Sequence, residues 1–278
     1  MDRSLAMSMP LPERQALSIL RPGQGVDADG PAKLTVIVAA ETHASAWSGL
    51  EQVQPEYDML YAACSVLSVG TSGGRWVAPA GCGIFVPAGV AHRLALPSEA
   101  SVTCALIPRH DIEEVDRLCK VIRISDLVRE LLDAAANLPL DGSGERRDRL
   151  VLDLLPVEIS RSATLPIGLP IPADPLLVRR CMDFAAVPQA GMSIDRWAAE
   201  LSMSRRKFTS LFRRKTGISF KAWVRQACFA FAMMRLARGD GIGAVAARCG
   251  YASPAGLSAL IKRLSGTATW RMASTSAR

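Results

Sequence analysis

The chain has 278 residues, of which 49% are hydrophobic and 21% charged, and its formal net charge is +7. This composition supports a sizeable buried core and excludes wholesale disorder, and the length suits two domains. From Ala173 onward there are 18 Lys and Arg residues against 5 Asp and Glu, a net charge of +13, whereas residues 1–172 have a net charge of −6. We therefore predict a basic domain that faces a polyanion. Nucleic acid is favoured over a membrane, because no basic helix carries the bulky apolar face that a membrane surface requires.

Secretion and membrane insertion are not expected. The first residues, MDRSLAMSMPLPERQ, lack the apolar segment of a secretory signal, and the longest apolar runs are shorter than the ~20 residues of a membrane helix. The seven cysteines form no C-x-x-C pair, which argues against zinc ribbons and redox motifs. We expect a cytoplasmic protein with reduced, buried thiols.

Residues 32–107 contain short apolar or alternating runs separated by Gly, Pro and Ser, a pattern typical of β-strands and turns. The runs are KLTVIVAA, MLYAACSVLSV, RWVAPA, GIFVPA and SVTCALIP. Many short strands at this spacing predict a small β-barrel or sandwich. One stretch, GCGIFVPAGVAH at residues 81–92, resembles the second conserved motif of the cupin β-barrels. Pro87 and Gly89 predict a tight turn, and His92 is expected to begin the next strand and point inward.

The ligands of a cupin metal site are incomplete in this chain. Such a site needs three or four imidazole or carboxylate ligands. Where the resemblance would supply a His-x-His pair, the chain has Gln52 and Gln54, whose amides are poor ligands for transition metals. One ligand set stays open without support from the spacing: His92, His43 and either Glu51 or Glu56. The chain also lacks a Gly-rich phosphate loop and a G-x-S-x-G elbow, so we predict no catalytic residues, no metal and no cofactor.

After these strands the apolar spacing changes to three or four residues, which predicts amphipathic helices over residues 111–138 and 145–159. Leu127, Leu131 and Leu132 belong to their apolar stripes. Such a stripe packs against a second subunit, against the C-terminal domain, or within the chain's own core, and the sequence leaves these alternatives open. The prolines of SATLPIGLPIPADP then predict a linker.

The residues from Asp174 onward predict six helices, most of them preceded by a serine that can cap the helix. These helices are Asp174–Ala186, Ile194–Leu201, Arg205–Thr216, Phe220–Arg238, Ile242–Cys249 and Pro254–Ser265. Ser193–Gly217 and Gly241–Gly266 repeat one pattern: a short Ala-rich helix, a four-residue turn, a capping serine, and a second helix that ends in a basic pair and glycine. The repeat predicts two helix-turn-helix units joined by a long helix.

The second helix of the first unit has one apolar and one basic face. Phe208, Leu211 and Phe212 share the apolar face, which we expect in the core, and most other positions are Arg, Lys, Ser or Thr. A helix of about 12 Å diameter with such a face fits the DNA major groove, where arginine reads guanine. The alternative, a solvated charged face in an ordinary bundle, leaves the repeat and the basic charge unexplained.

The two units resemble the DNA-binding domain of the AraC/XylS family of bacterial transcription regulators over roughly residues 176–268. The resemblance stands in LSMSRRKFTSLFRRKTGISFKAWV and VAARCGYASPAGLSALIKRLSGT. In that family each unit places its second helix in one of two adjacent major-groove segments. The resemblance implies that Arg206, Thr209 and Ser210 read bases, with Lys207 nearby. It also implies further DNA contacts, chiefly to phosphates, from Arg205, Arg213, Arg214, Lys215, Lys221, Ser253, Ser258, Lys262 and Arg263.

The second unit departs from the family pattern. Its second helix carries Pro254, Ala255, Gly256, Ser258 and Ala259 where polar readers are usual, and Thr269 replaces a usual proline. Such a surface has few donors for base edges. We therefore predict that the first unit supplies most base specificity, and that the second supplies backbone contacts and apolar contacts to thymine methyls.

These features predict an α+β chain of two domains, an N-terminal cupin-like β-barrel with flanking helices and a C-terminal all-α domain with two helix-turn-helix units joined by a linker helix. The expected limits are residues 1–110 for the barrel, 111–162 for a helical dimerisation or packing segment, 163–173 for a Pro-rich linker, and 174–278 for the AraC-type DNA-binding domain.

The predicted function is sequence-specific regulation of transcription by a DNA-binding protein whose N-terminal domain senses an effector or forms a homodimer. Expected partners are double-stranded promoter or operator DNA, a second copy of the chain, RNA polymerase and a small-molecule effector. The candidate effector contacts are Tyr57, Tyr61, Trp76, Phe85 and His92. Two other classes stay open: a metal-dependent cupin oxygenase or isomerase with a DNA-binding tail, and a constitutive architectural protein.

Overall fold

Two antiparallel sheets and two groups of helices form the chain in the computed structural model, which describes residues 36–109, 111–112, 118–138, 145–172 and 174–265. The start of the predicted N-terminal domain, residues 113–117 and 139–144, and the C-terminal end with Thr269 lie outside the described residues. Within the described parts, no helix has the length and apolar character needed to cross a membrane.

Eleven strands are described, most of them short. In chain order they are β1 (Ile37–His43), β2 (Trp47–Ser48), β3 (Tyr57–Ala63), β4 (Leu67–Thr71), β5 (Gly74–Ala78), β6 (Cys82–Val86), β7 (His92–Leu96), β8 (Ala100–Pro108), β9 (Lys120–Arg123), β10 (Thr164–Leu165) and β11 (Leu169–Pro170). One sheet has the order β1-β8-β3-β6-β9-β10 and the other the order β11-β5-β4-β7-β2. The predicted inward strand that begins at His92 is confirmed as β7, with His92 buried.

The sheets form a sandwich whose two cores follow from the alternation of side chains along each strand. In β3, Met59 and Tyr61 join Val77 and other residues of the five-stranded sheet in the inner core. Leu60, which lies between them, points to the opposite face and packs with Phe85 in the outer core. The sequence pattern of near-continuous apolar residues reflects burial of both faces of the larger sheet.

The prediction of a closed barrel is wrong in one respect. Among the described strands no ladder joins the two sheets; an isolated bridge between Gln52 and His92 extends the smaller sheet only at its edge. The edge strands β2, β10 and β11 have two residues each, and Pro170 in β11 has no N–H with which to continue a ladder. The edges are therefore too short to close the barrel.

Two helices cover the outer face of the six-stranded sheet. These are α1 (Asp126–Ala136), capped by the Ser125 side chain, and α2 (Arg146–Ser160), which begins with a capping box formed by Glu145 and Asp148. Buried residues of both helices pack against Leu60 and Phe85 of the sheet. This arrangement makes the region α+β, as predicted.

The predicted helix over residues 111–138 is wrong at Lys120–Arg123, which form strand β9 beside β6. The apolar residues of this stretch are Val121 and Ile122, which are β-branched and point to opposite faces of the sheet, one into each core. Burial on both faces produces a continuous apolar run that does not distinguish a strand from a helix. Pairing with β6, almost forty residues earlier in the chain, decides the structure.

The stretch predicted as a Pro-rich linker is also partly strand. Thr164–Leu165 pairs with β9 of the larger sheet, and Leu169–Pro170 pairs with β5 of the smaller sheet. Leu169 is buried, and the ring of Trp76 lies beside Gly168. The segment therefore contributes one strand to each sheet and connects the sheets to the C-terminal helices.

Six helices follow: α3 (Pro175–Ala186), α4 (Ile194–Glu200), α5 (Arg205–Thr216), α6 (Phe220–Ala237), α7 (Ile242–Arg248) and α8 (Pro254–Ser265). Each agrees with its predicted range to within one residue at either end. Their core is a cluster of six aromatic rings whose contacting centroids lie 5.0 to 6.3 Å apart: Phe184, Trp197, Phe208, Phe212, Phe220 and Trp223. Edge-to-face packing of these rings fixes the first helix pair against α6.

Candidate nucleic-acid interface

The turn between α4 and α5 is fixed by local hydrogen bonds. The backbone N–H of Met203 donates to the Ala198 carbonyl at 2.8 Å, and Ser202 adopts a positive φ of 51°. The Ser204 hydroxyl accepts the N–H of Lys207 at 3.3 Å and so caps α5. With Trp197 fully buried beneath the turn, these contacts set the angle between the two helices.

The same turn occurs again between α7 and α8. The Tyr251 N–H donates to the Ala246 carbonyl at 2.9 Å, and Gly250 adopts a positive φ of 71°. Tyr251 lies 48 positions after Met203, and the same interval separates Ala246 from Ala198 and Gly250 from Ser202. Because α8 begins 49 positions after α5, the second turn is longer by one residue. The structure thus contains two helix-turn-helix units, with α6 between them.

The outward face of α5 is polar and basic. Phe208, Phe212 and Thr216 are buried on its inner face. The predicted base readers lie on the outer face, together with Arg205 and Arg213, and line a surface groove of about 620 Å³. The exposed residues of this face are Arg205, Arg206, Lys207, Thr209, Ser210, Arg213, Arg214 and Lys215. An exposed cationic helix face of this kind matches what the major groove requires.

Internal contacts hold part of this face and leave the rest open. Arg205 contacts both carboxylate oxygens of Asp195 at 3.0 and 3.3 Å, and Lys215 lies 3.7 Å from Asp174. Within the described residues, Arg206 and Arg213 form no ion pair. The Thr209 hydroxyl donates to the Arg205 carbonyl at 2.8 Å, so its oxygen is left as an acceptor for a base or a phosphate.

The second unit presents a weaker surface. On α8, Lys262 and Arg263 are exposed near its C-terminal end, and Ser253 precedes its first turn. The Ser258 hydroxyl donates to the Pro254 carbonyl at 3.0 Å, so its hydrogen is already engaged within the helix. The main polar groups that α8 offers are therefore Lys262 and Arg263. On α6, Lys221 is exposed in the first turn.

In the N-terminal sandwich a polar cluster joins two candidate effector residues, Tyr61 and His92, to Gln52, which stands where a cupin metal ligand would be expected. The Tyr61 hydroxyl lies 2.8 Å from His92 Nε2 and 2.5 Å from Gln52 Nε2, and His92 Nδ1 lies 2.8 Å from the Val90 carbonyl. The cluster is consistent with a neutral His92 that donates from Nδ1 to Val90 and accepts at Nε2 from Tyr61. Burial lowers the pKa of His92 and raises the pKa of Tyr61 well above its usual value, which keeps both groups uncharged.

The other candidate effector residues are dispersed. Tyr57 is half-buried at the start of β3, and Trp76 packs on the Gly168 backbone at the junction with β11. Phe85 points into the outer core, where Lys120 lies 5.5 Å from its ring centre. The structure therefore brings together only Tyr61 and His92 of the five, with Gln52 added. Within the described residues, no three His, Cys, Asp or Glu side chains are grouped as a metal site.

The sequence analysis did not predict the contacts between the sheets and the C-terminal helices. Trp223 Nε1 donates to the Pro170 carbonyl at 2.7 Å, and Arg123 Nη2 donates to the carbonyl of Ser265, the last residue of α8, at 3.0 Å. It also missed Arg225, which lies on α6 beside the second unit. The one available signal was its i, i+4 spacing from Lys221.

The chain is similar to several known proteins. Residues 197–269 match the family described as helix-turn-helix domain. The chain is 26% identical over 188 residues to the HTH-type transcriptional regulator NimR of Escherichia coli K12, covering 68% of each protein. The structure of ToxT from Vibrio cholerae is 10% identical, with a TM-score of 0.33, over 84% of this chain and 96% of that one. The DNA-binding domain of AdpA, solved with a target DNA, is 28% identical over 34% of this chain and 86% of that one, with a TM-score of 0.31.

The duplicated helix-turn-helix geometry and the sequence matches define a class: the chain is a DNA-binding transcriptional regulator. Its two half-motifs resemble those of the AraC family, and they lie in or next to residues 197–269, which match the helix-turn-helix family.

Proposed function

We propose that this regulator recognises a specific promoter sequence mainly through α5, while α8 anchors the second unit to the DNA backbone. The observation that carries the proposal is the difference between the two outer faces. Arg206 and Arg213 are exposed and form no ion pair in the described chain, whereas α8 offers Ala and Ser residues until Lys262. A bidentate arginine contact discriminates between bases by ~1–3 kcal/mol, whereas a phosphate contact does not depend on sequence.

Two matched variants test this assignment in binding assays across a set of DNA sequence variants. Arg206→Ala is expected to relax the preference at one base position by about tenfold, since a lost base contact costs ~1–3 kcal/mol. Lys262→Ala is expected to weaken all sequences alike and to lower the slope of the salt dependence by about 1. The assignment fails if Lys262→Ala changes base preference and Arg206→Ala does not.

The N-terminal region is proposed to be a cupin-like module that senses an effector or forms a homodimer. Leu131 and Leu132 are buried against the sheet, which supports the intrachain alternative for these two residues. Leu127 is exposed, and α2 presents a stripe of exposed apolar residues at i, i+4 and i+7: Leu150, Leu154 and Val157, which are 57, 40 and 48% exposed. This stripe is the surface proposed for self-association.

Replacing Leu150 and Leu154 by Glu tests the stripe. The double variant is expected to sediment as a monomer at concentrations where the wild type is dimeric, because each charge would be buried without a partner in the interface. Leu118→Glu, at an exposed apolar position outside both helices, is the control for a charge added elsewhere on the surface. A wild type that is monomeric at every concentration, or a double variant that still dimerises, contradicts the proposal.

The remaining parts of the proposed function are cytoplasmic location, contact with RNA polymerase, and the absence of catalysis. No observation in the described residues favours the metal-dependent enzyme, because the polar cluster around His92 contains an amide and a phenol where a metal would need imidazole or carboxylate.

A further inference from the structure

A cleft of about 660 Å³ lies between the two helix-turn-helix units. Its floor is formed by Phe220, Val224 and Leu260 of α6 and α8, which are only 3 to 5% exposed, and the more exposed side chains of Met192, Ile194 and Ala259 also line the cleft. The segment before α4 and the N-terminal end of α5 form one wall, and α8 with Tyr251 forms the other.

Four of the lining side chains are cationic and none is acidic. Arg205 is paired with Asp195, but Lys221, Arg225 and Arg263 form no ion pair within the described part of the chain. Tyr251 adds a phenol close enough to Arg225 and Arg263 to experience their charges, and burial raises its pKa to about 12, so it is a proton donor at neutral pH. Three unneutralised cations and a phenol therefore surround an apolar floor.

This combination selects for one kind of occupant. A volume of about 660 Å³ falls within the 300–1,000 Å³ usual for small-molecule sites, which combine apolar walls with a few convergent polar groups. An anionic head group satisfies the cations, and an apolar body contacts Met192, Ile194 and Ala259, the apolar lining residues that keep some exposure. A DNA phosphate can contact Lys221 and Arg263, as predicted from the sequence, but it leaves this apolar lining uncovered.

The cleft adjoins both DNA-facing surfaces. Arg205 lines it as well as the groove on the outer face of α5. Gly256 and Ala259 of α8 line the opposite wall, at positions where the family pattern has polar readers. A molecule seated between these helices therefore lies where the duplex must pass from one unit to the other.

We propose that this cleft binds a small amphipathic carboxylate, with one carboxylate on an aromatic or aliphatic body, and that the bound molecule competes with promoter DNA. The competition, though not the binding itself, rests on the proposed function. In the complex, Arg225 and Arg263 hold the carboxylate and the apolar lining packs against the body. The ligand would thus act directly on the spacing between the two units, without passing through the N-terminal module.

The test titrates 2-naphthoate into the full-length protein by isothermal calorimetry, beside neutral 2-naphthylmethanol and inorganic phosphate. We expect 1:1 binding of 2-naphthoate that is at least tenfold tighter than that of either control, since one compound lacks the charge and the other the apolar body. Arg225→Met is expected to weaken 2-naphthoate by tenfold or more. Ala259→Phe, at an exposed position of α8, is expected to fill the cleft and reduce binding similarly.

Arg213→Ala is the matched control, because Arg213 lies in the α5 groove but not in the cleft. It is expected to leave 2-naphthoate binding unchanged and to weaken DNA binding in fluorescence anisotropy. Circular dichroism of each variant establishes that it is folded. Equal binding of phosphate and 2-naphthoate, or 2-naphthoate affinity unaltered in both Arg225→Met and Ala259→Phe, overturns the ligand site.

Anisotropy at saturating 2-naphthoate separates the two parts of the proposal. The midpoint for a DNA duplex is expected to rise at least fivefold, and an unchanged midpoint overturns the competition. If the protein binds no DNA under any condition, the proposed function fails, while the calorimetric titration still decides the carboxylate site.

Discussion

Arg123 connects the larger sheet to the end of the second unit, and its replacement tests how firmly the two parts are coupled. In Arg123→Met, the Ser265 carbonyl at the C-terminal end of α8 loses a guanidinium donor at 3.0 Å. A cation at a helix C-terminus contributes ~0.3–1 kcal/mol at an exposed site and up to ~2 kcal/mol when partly buried. Because Arg123 is half-buried, we expect a loss of about 1 kcal/mol, which corresponds to about fivefold in the opening equilibrium.

Hydrogen exchange of the full-length protein measures this loss directly. Amides in the last turns of α8 are expected to exchange about fivefold faster in Arg123→Met, while those of α5 stay unchanged. Arg129→Met is the control, because Arg129 makes only a surface ion pair with Asp126 at 2.8 Å on α1. Unchanged exchange in α8, or equal acceleration by Arg129→Met, would refute the inferred coupling between sheet and unit.

Two further predictions concern the N-terminal sandwich. Because burial lowers the pKa of His92 from 6.5, the unfolded chain binds a proton more readily than the folded one, so the free energy of unfolding is expected to fall as the pH drops below about 6.5. Denaturant unfolding at pH 7.5 and 5.5 should show a smaller fall in His92→Gln, and an equal fall in both proteins would contradict the buried neutral imidazole. In Gly168→Ala, the new Cβ would lie 2.8 Å from Trp76 Nε1 and force the indole away from the β5–β11 junction. We expect a loss of ~1–3 kcal/mol and a melting temperature lower by several degrees, whereas Gly191→Ala, whose Cβ meets no atom within 4 Å, should melt like the wild type. Equal melting of the two variants would show that Trp76 does not fasten the junction.

The C-terminal helices could be predicted almost to the residue because their signals are local. A serine side chain caps α4, α5 and α6 at Ser193, Ser204 and Ser219, respectively. On α5, the inner face carries Phe208 and Phe212 at helical spacing. The sheet pairings depend on distant segments and left no comparable signal. Strand β9 is the clearest case, since Val121 packs in the inner core and Ile122 packs in the outer core. Strands β10 and β11 are too short to show any period.

The residues of the candidate site also fall into those that local sequence signals could predict and those that depend on distant contacts. The exposed face of α5 follows from the 3.6-residue period once Phe208 and Phe212 are assigned to the core. The meeting of Gln52 with His92 depends on an isolated bridge across 40 residues, and only the cupin-like motif suggested that the two positions are related. Arg225 lies at the edge of α6, a helix rich in apolar residues, and its position beside the second unit depends on packing between distant segments.

Selection of bound sequences from random double-stranded DNA, at two salt concentrations, tests the central claim most directly. We expect enrichment of one site with two parts about one helical turn apart, roughly 10 base pairs, because α5 and α8 are proposed to occupy adjacent major-groove segments. We also expect a stronger base preference in the part contacted by α5. The enriched sequence should be the same at both salt concentrations, while total binding falls at the higher one. Flat enrichment, with binding that depends on salt alone, would contradict a sequence-specific regulator.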